Sequence, residues 1–169
     1  MHKYKTYVFD LDGTLLSTLT DLAASCNYAL RHNGMPERTI DEVRMFVGNG
    51  VKKLMERAIP DGLANPLFEQ TFADFRQHYM HHNLDTTAPY PGIMDMLEQL
   101  KAEGKNIAVV SNKFYAATRE LCRHFFGDLV PVAIGEREDI RKKPAPDGAQ
   151  QRYALRQRFV GIPRQTVPA

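Results

Sequence analysis

The sequence contains only two cysteines, Cys26 and Cys122, both in helix-like stretches. Two cannot build a disulfide framework, so they read as buried thiols. It also lacks any apolar run approaching the roughly 18 residues that a membrane-spanning helix needs. The first five residues lead into a short strand pattern rather than a secretory segment. These absences predict no membrane span, no signal peptide and a cytoplasmic location. Net charge is scarce as well: the formal balance is +2, too small to argue for a nucleic-acid partner. Glycine and proline, 11 and 10 of 169 residues, are at ordinary levels, which excludes collagen-like or broadly disordered character. What is present, 43% hydrophobic and 25% charged residues, suits one compact unit or a core with one inserted subdomain.

Residues 4–9 form an apolar and aromatic run that ends at Asp10 and Asp12 and reads as a strand buried on both faces. Residues 19–30 carry apolar side chains at helical spacing and stop at His-Asn-Gly, where Gly34 suits a C-cap. A second helical stretch begins near Thr39, a candidate cap for a turn opened by Asp41 and Glu42. The string Phe-Val-Gly-Asn-Gly at 46–50 interrupts it, and residues 51–58 resume the helix. A third helix is predicted over 66–82, with Leu67, Phe68, Phe72, Phe75 and Tyr79 as its apolar stripe. Residues 19–82 contain no convincing strand and read as a helical subdomain. Alternation then returns: helix over 93–102, strand over 107–110 ending at Ser111, helix over 115–126, strand over 130–134. That order is an α/β pattern with a parallel sheet. The polar clusters follow predicted strand ends, where open α/β sheets place their sites.

The strongest local signal is Val-Phe-Asp-Leu-Asp-Gly-Thr-Leu, residues 8–15. Asp10 and Asp12 stand two apart directly after an apolar strand, so their carboxylates can converge. Two close carboxylates repel unless a cation or a shared proton compensates. A hard ion such as Mg²⁺, held by a carboxylate and a backbone carbonyl, is the natural compensator. Gly13 permits a tight turn, and Thr14 offers a hydroxyl and a backbone N–H to an anion.

On these residues the sequence resembles the haloacid dehalogenase-like hydrolases, and within them the phosphoglycolate phosphatase-like group with a small helical cap. The resemblance implies a Rossmann-like parallel-sheet core from residues 1–16 and 88–147, a helical cap from 17–87, and an atypical basic tail from 148–169. It assigns Asp10 as the nucleophile that becomes an aspartyl-phosphate. Mg²⁺ would be shared by Asp10 and a backbone carbonyl at Leu11 or in the Asp12 region, with Asp12 also in the metal site. Asp12 would protonate the leaving oxygen and then help activate water.

The second family motif matches Ser111, whose hydroxyl would hold a phosphoryl oxygen together with the Asn112 backbone N–H. The third matches Lys143, ahead of Pro144, Pro146 and Asp147, as a point charge for phosphate and nucleophile. Arg141 and Lys142 read as solvated neighbours. The cap loop matches at Gly48, Asn49 and Gly50, whose backbone N–H groups would approach an anion. Arg44 is a candidate partner for a substrate carboxylate. His78, His81 and His82 read as surface histidines, because no third metal ligand has suitable spacing. One departure is Ser17, where the family commonly carries an acid.

The resemblance covers residues 4–147. The family's fourth motif, a further strand with an acid pair that completes the Mg²⁺ site, has no counterpart. From 148 to 169 the chain has Arg152, Arg156, Arg158 and Arg164 but no acid. The expectation is therefore a core truncated at its C-terminal side, with an unpaired edge at residues 6–9, weak Mg²⁺ binding and little turnover. The implied partner is a small phosphorylated metabolite, with no nucleic acid and no membrane; oligomeric state is left open. The rival readings are a hexose-phosphate mutase of the same family and a non-catalytic truncated or pseudoenzyme product.

Overall fold

The computed structural model describes residues 4–137 together with Lys143 and Ala145. The expected roles of Arg141, Lys142, Pro144, Pro146, Asp147 and the tail 148–169 lie outside the described residues. In chain order the elements are β1 (Thr6–Phe9), β2 (Leu16–Ser17), α1 (Leu19–His32), α2 (Ile40–Phe46), α3 (Val51–Ala58) and α4 (Phe68–His82). They continue with β3 (Ala88–Pro89), α5 (Ile93–Ala102), β4 (Asn106–Phe114), α6 (Tyr115–Phe126) and β5 (Val132–Glu136).

The main sheet is parallel, in the order β1–β4–β5. Tyr7 lies beside Ile107 on one side of the central strand, and Val109 lies beside Ala133 on the other. The central position explains the composition of β4: Ile107, Ala108, Val109 and Val110 are all buried, as strands covered on both faces require. β1 differs from its sequence expectation. Its burial alternates and Val8 is 43% exposed, because β1 has β4 as its one strand neighbour and the Thr6/Val8 face is left uncovered among the described residues.

A second correction concerns the end of β4. The strand was expected to stop at Ser111; it runs on to Phe114, with a register shift after Val110 that lets Phe114 pair with Glu136. Ser111, Asn112 and Lys113 are therefore buried strand residues. β5 is displaced from 130–134 to Val132–Glu136 by the same pairing. Gly135 on it passes so close to α6 that a Cβ there would lie 2.5 Å from the Tyr115 Cα.

The helices follow their local signals. α1 ends with the Gly34 N–H donating to Arg31 O at 3.1 Å and the Met35 N–H donating to Leu30 O at 2.9 Å, the expected glycine C-cap. Thr39 and Glu42 form a full capping box at the start of α2. α5 and α6 occupy their predicted spans.

Two large apolar clusters result among the described residues, beside a small one of Val110 and Ile134. Leu11, Leu15, Leu97, Ile107, Val109 and Leu121 pack between the sheet and its flanking helices. Leu22, Leu30, Val43, Leu54, Phe75 and Tyr79 join α1–α4 into a separate cluster that also takes in Ala117 of α6, with Phe114 packed against it. The helical layer thus rests on the carboxyl end of β4. Cys26 and Cys122 are buried in these clusters, and burial pushes both thiols up to about 12.

The chain crosses between the two clusters twice, and there the crossing segments pair: Leu16 with Pro89 and Ser17 with Ala88, antiparallel. Next to this two-residue ladder the buried Asp21 carboxylate accepts the backbone N–H groups of Thr86 and Thr87, at 3.0 and 2.9 Å, and both threonine hydroxyls. Neither the ladder nor this clasp was anticipated, since each joins positions about 70 residues apart in sequence with no local signature.

Candidate active site

β1 and β4 run parallel, so their carboxyl ends open on the same side of the sheet, under the helical layer. A small cavity of about 50 Å³ lies there. By the measure that gives a single buried water roughly 10–15 Å³, that space suits a phosphoryl-sized group with a small substituent. Its polar lining is Asp10, Asp12, Ser111, Asn112, Lys113 and Lys143. The helical layer supplies Val47, Gly48, Gly50, Val51 and Leu54. Gly48 and Gly50 have φ of +120° and +87°, conformations that a side chain would oppose.

Two acids face two ammonium groups. Asp10 Oδ1 accepts the Leu11 N–H at 2.8 Å and stands 2.7 Å from Lys143 Nζ. Asp12 Oδ1 accepts the Thr18 hydroxyl at 2.7 Å and stands 2.9 Å from Lys113 Nζ. The pairs differ in access. Side-chain exposure is 45% and 32% for Asp10 and Lys143, but 17% and 0% for Asp12 and Lys113. The outer pair is open to an incoming group, while in the inner pair the ammonium is sealed and Asp12 alone keeps an edge on the cavity. Burial on its own would pull the Lys113 ammonium down; the Asp12 charge, followed by Tyr79, outweighs it and holds this group above the ordinary lysine range.

Ser111 Oγ accepts the Lys113 N–H at 3.1 Å, which leaves its hydroxyl proton for another acceptor. Asn112 has a role that the sequence did not disclose. Its side chain accepts the Lys143 N–H at 2.8 Å and donates to the Lys143 carbonyl at 3.3 Å, so it fixes the backbone that carries the outer ammonium. Lys113, also unassigned from sequence, stands directly after Ser-Asn at a strand end; its proximity to Asp12 was not legible there.

Several expected positions fall elsewhere. Thr14 is exposed, outside the cavity lining, and its N–H donates to Leu11 O at 3.2 Å. Asn49 is exposed and, unlike its flanking glycines, does not line the cavity. Arg44 pairs with Asp41 one helical turn away, on the surface of α2. The Leu11 carbonyl is the clearest correction as a metal donor. It accepts the N–H groups of Thr14, Leu15 and Leu16, at 3.2, 3.0 and 3.0 Å, which occupies its lone pairs. The Asp12 carbonyl accepts none of these bonds.

The remaining donor set is oxygen: the carboxylates of Asp10 and Asp12 and a backbone carbonyl. No group of three or more His, Cys, Asp or Glu comes together among the described residues. Such a set fits Mg²⁺, which takes one or two carboxylates and completes its shell with phosphate and water oxygens. His78, His81 and His82 line a separate groove between α1 and α4; His78 contacts the Ser25 hydroxyl and His82 contacts Asp85. No helix among the described residues is long and apolar enough to cross a membrane.

A family model described as haloacid dehalogenase-like hydrolase matches residues 7–161. The phosphoglycolate phosphatase of Aquifex aeolicus is 35% identical over 143 residues, covering 84% of this chain and 65% of that protein. The phosphoglycolate phosphatase of Cereibacter sphaeroides is 35% identical over 146 residues, covering 82% of this chain and 66% of that protein. The chain thus spans just under two thirds of the length of these curated relatives. Among solved structures, one described as a "predicted phosphoglycolate phosphatase" from Haemophilus somnus aligns with a TM-score of 0.82 and 31% identity. It covers 94% of this chain and 73% of its own.

Proposed function

The chain belongs to the haloacid dehalogenase-like hydrolases, and from that premise we propose that it is a Mg²⁺-dependent phosphomonoesterase of the phosphoglycolate phosphatase type. The observation that carries the reading is the meeting of Asp10, Asp12, Ser111 and Lys143 around one small cavity, beneath Gly48 and Gly50. The substrate class is a small, acidic, phosphorylated metabolite, and the location is the cytoplasm. Residues 1–16 and 88–147 act as the core, and residues 17–87 act as the cap that selects the substrate.

With Oδ1 of Asp10 held by the Leu11 N–H and Lys143, its Oδ2 attacks phosphorus and the bond to the leaving oxygen breaks. Protonated Asp12 delivers its proton to that oxygen. Water then attacks the phosphorus of phospho-Asp10, Asp12 takes up the proton released, and Asp10 is restored with free phosphate. Ser111 and Lys143 hold the phosphoryl oxygens throughout, and the glycine N–H groups of the cap loop face the anion. The Asp10 carboxylate and the backbone carbonyl of Asp12 would hold Mg²⁺, which would supply screening of the charge on the phosphoryl group.

The test is phosphate release from phosphoglycolate and a panel of small phosphomonoesters, measured against Mg²⁺ concentration. Mg²⁺-dependent release is expected, slow and needing high Mg²⁺ because so few carboxylates meet among the described residues, and Asp10→Asn should abolish it with an unchanged melting profile. Most wild-type turnover surviving in Asp10→Asn, or no release at any Mg²⁺ concentration, defeats the proposal. Conversion of a sugar monophosphate to its isomer without phosphate release would favour the mutase instead.

A further inference from the structure

Lys113 is the one polar side chain of the cavity lining with no surface exposed. Burying an ammonium is costly, and a fully buried strand position would accept an apolar residue. The charge must therefore be compensated by what surrounds it. Its Nζ is 2.9 Å from Asp12 Oδ1, an ion-pair contact rather than a well-directed hydrogen bond. It also lies 4.5 Å from the centre of the Tyr79 ring, within cation–π range. Tyr79 belongs to α4 in the helical layer, is itself fully buried, and stacks on Phe75 with ring centres 5.7 Å apart. Its hydroxyl makes no well-directed hydrogen bond among the described residues, so Tyr79 engages the lysine through its ring face and through the dipole of the nearby hydroxyl.

We propose that Lys113 is a positioning residue for Asp12 and that Tyr79 seats it, which makes a cap helix part of the apparatus that orients the proton donor. The inference rests on the reading of Asp12 as that donor. The Thr18 hydroxyl and Lys113 both engage Oδ1 of Asp12, from opposite segments of the chain. A carboxylate held at one oxygen cannot rotate, and Oδ2 is the atom left for the leaving group and water. Lys113 itself does not bind substrate, because its ammonium is sealed between Asp12 and the ring. A cap that lifts away removes the ring from Lys113 and loosens Asp12 in the same motion.

Two measurements on the full chain test this. The first compares kcat and KM for an alkyl phosphomonoester and for 2,4-dinitrophenyl phosphate, whose leaving group departs without a proton. Lys113→Met should lower kcat on the alkyl ester by about 100-fold, within the range of general-acid contributions, and leave KM nearly unchanged. Loss on the dinitrophenyl ester should be much smaller, Lys113→Arg should restore part of kcat, and Tyr79→Leu should show a weaker form of the same pattern. Equal losses on both esters, or a rise in KM alone, would overturn the positioning role.

The second is a thermal-unfolding cycle with Lys113→Met, Asp12→Asn and the double variant, which reads the pair without any turnover. The folding penalty of Lys113→Met should shrink by about tenfold in equilibrium constant once Asp12 is Asn. Independent, additive effects would overturn the link whatever the activity. If the wild-type chain releases no phosphate, the enzymatic reading fails first; coupling in this cycle then sustains the Lys113–Asp12 link alone.

Discussion

Asn112 grips Lys143 by its backbone at both ends. The Lys143 N–H donates to the Asn112 side-chain oxygen at 2.8 Å, and the Asn112 amide donates to the Lys143 carbonyl at 3.3 Å. Thirty-one residues separate the two in sequence. The pair transfers the rigidity of a central strand to a lysine outside the sheet, whose ammonium reaches Asp10. Asn112→Leu should remove both bonds, at a cost of about 1–3 kcal/mol, and let the ammonium wander from Asp10. Turnover should fall by about 10- to 100-fold with a modest drop in melting temperature, as misplacement of a positioned charge does. Kinetics and a melting curve on the purified variant check it.

Asp21 is the buried carboxylate that clasps Thr86 and Thr87 where the chain passes between its two apolar clusters. Asp21→Ala would strand two backbone N–H groups and two hydroxyls, so a loss of about 3 kcal/mol is expected from urea unfolding. Asp21→Asn should cost less, because an amide oxygen still accepts from one of the two strands of contact. Equal stability of the alanine variant and wild type would show that the clasp is replaced by water.

Gly135 allows a close approach of β5 to α6. A Cβ at that position would sit 2.5 Å from the Tyr115 Cα, 2.6 Å from Thr118 Oγ1 and 2.7 Å from the Lys113 carbonyl oxygen. Two of these three atoms are backbone and cannot swing away. Gly135→Ala should therefore destabilise by about 2–3 kcal/mol through overpacking. Because the strain falls on the Lys113 carbonyl, activity should drop in the same variant at temperatures well below its melting point.

His78 gives the fold a pH dependence of known sign. Burial lowers its pKa below the ordinary histidine value of 6.5, and the neighbouring His82 adds to the shift. The unfolded chain binds that proton more readily than the folded one. Stability is therefore complete above about pH 6.5, falls as pH drops toward the lowered folded value, and is level beneath it. The effect is small, since His78 is only partly buried. Melting temperatures between about pH 7 and pH 5 should show a decline in wild type and a flatter profile in His78→Gln.

The sequence alone determined those features whose causes are local. An apolar run ending in Asp-Leu-Asp-Gly-Thr places two carboxylates at a strand end whatever lies elsewhere in the chain. Thr39 and Glu42 cap α2, and the spans of α5 and α6 follow their apolar spacing, because hydrogen bonds within a few residues decide them. Tertiary structure decided what depends on distant partners. The strand reads from sequence as ending at Ser111, yet pairing across the register shift to β5 carries it on to Phe114 and buries Lys113. Thr14 and Arg44 looked suited to an anion, but their own neighbours, Leu11 and Asp41, satisfy them first. The β2–β3 ladder, the Asp21 clasp, the Asn112 grip and the Tyr79 seat each join residues at least 31 positions apart. No periodicity in a sequence encodes such a meeting. It exists only after packing of the two apolar clusters has brought the segments together and excluded the water that would otherwise satisfy them.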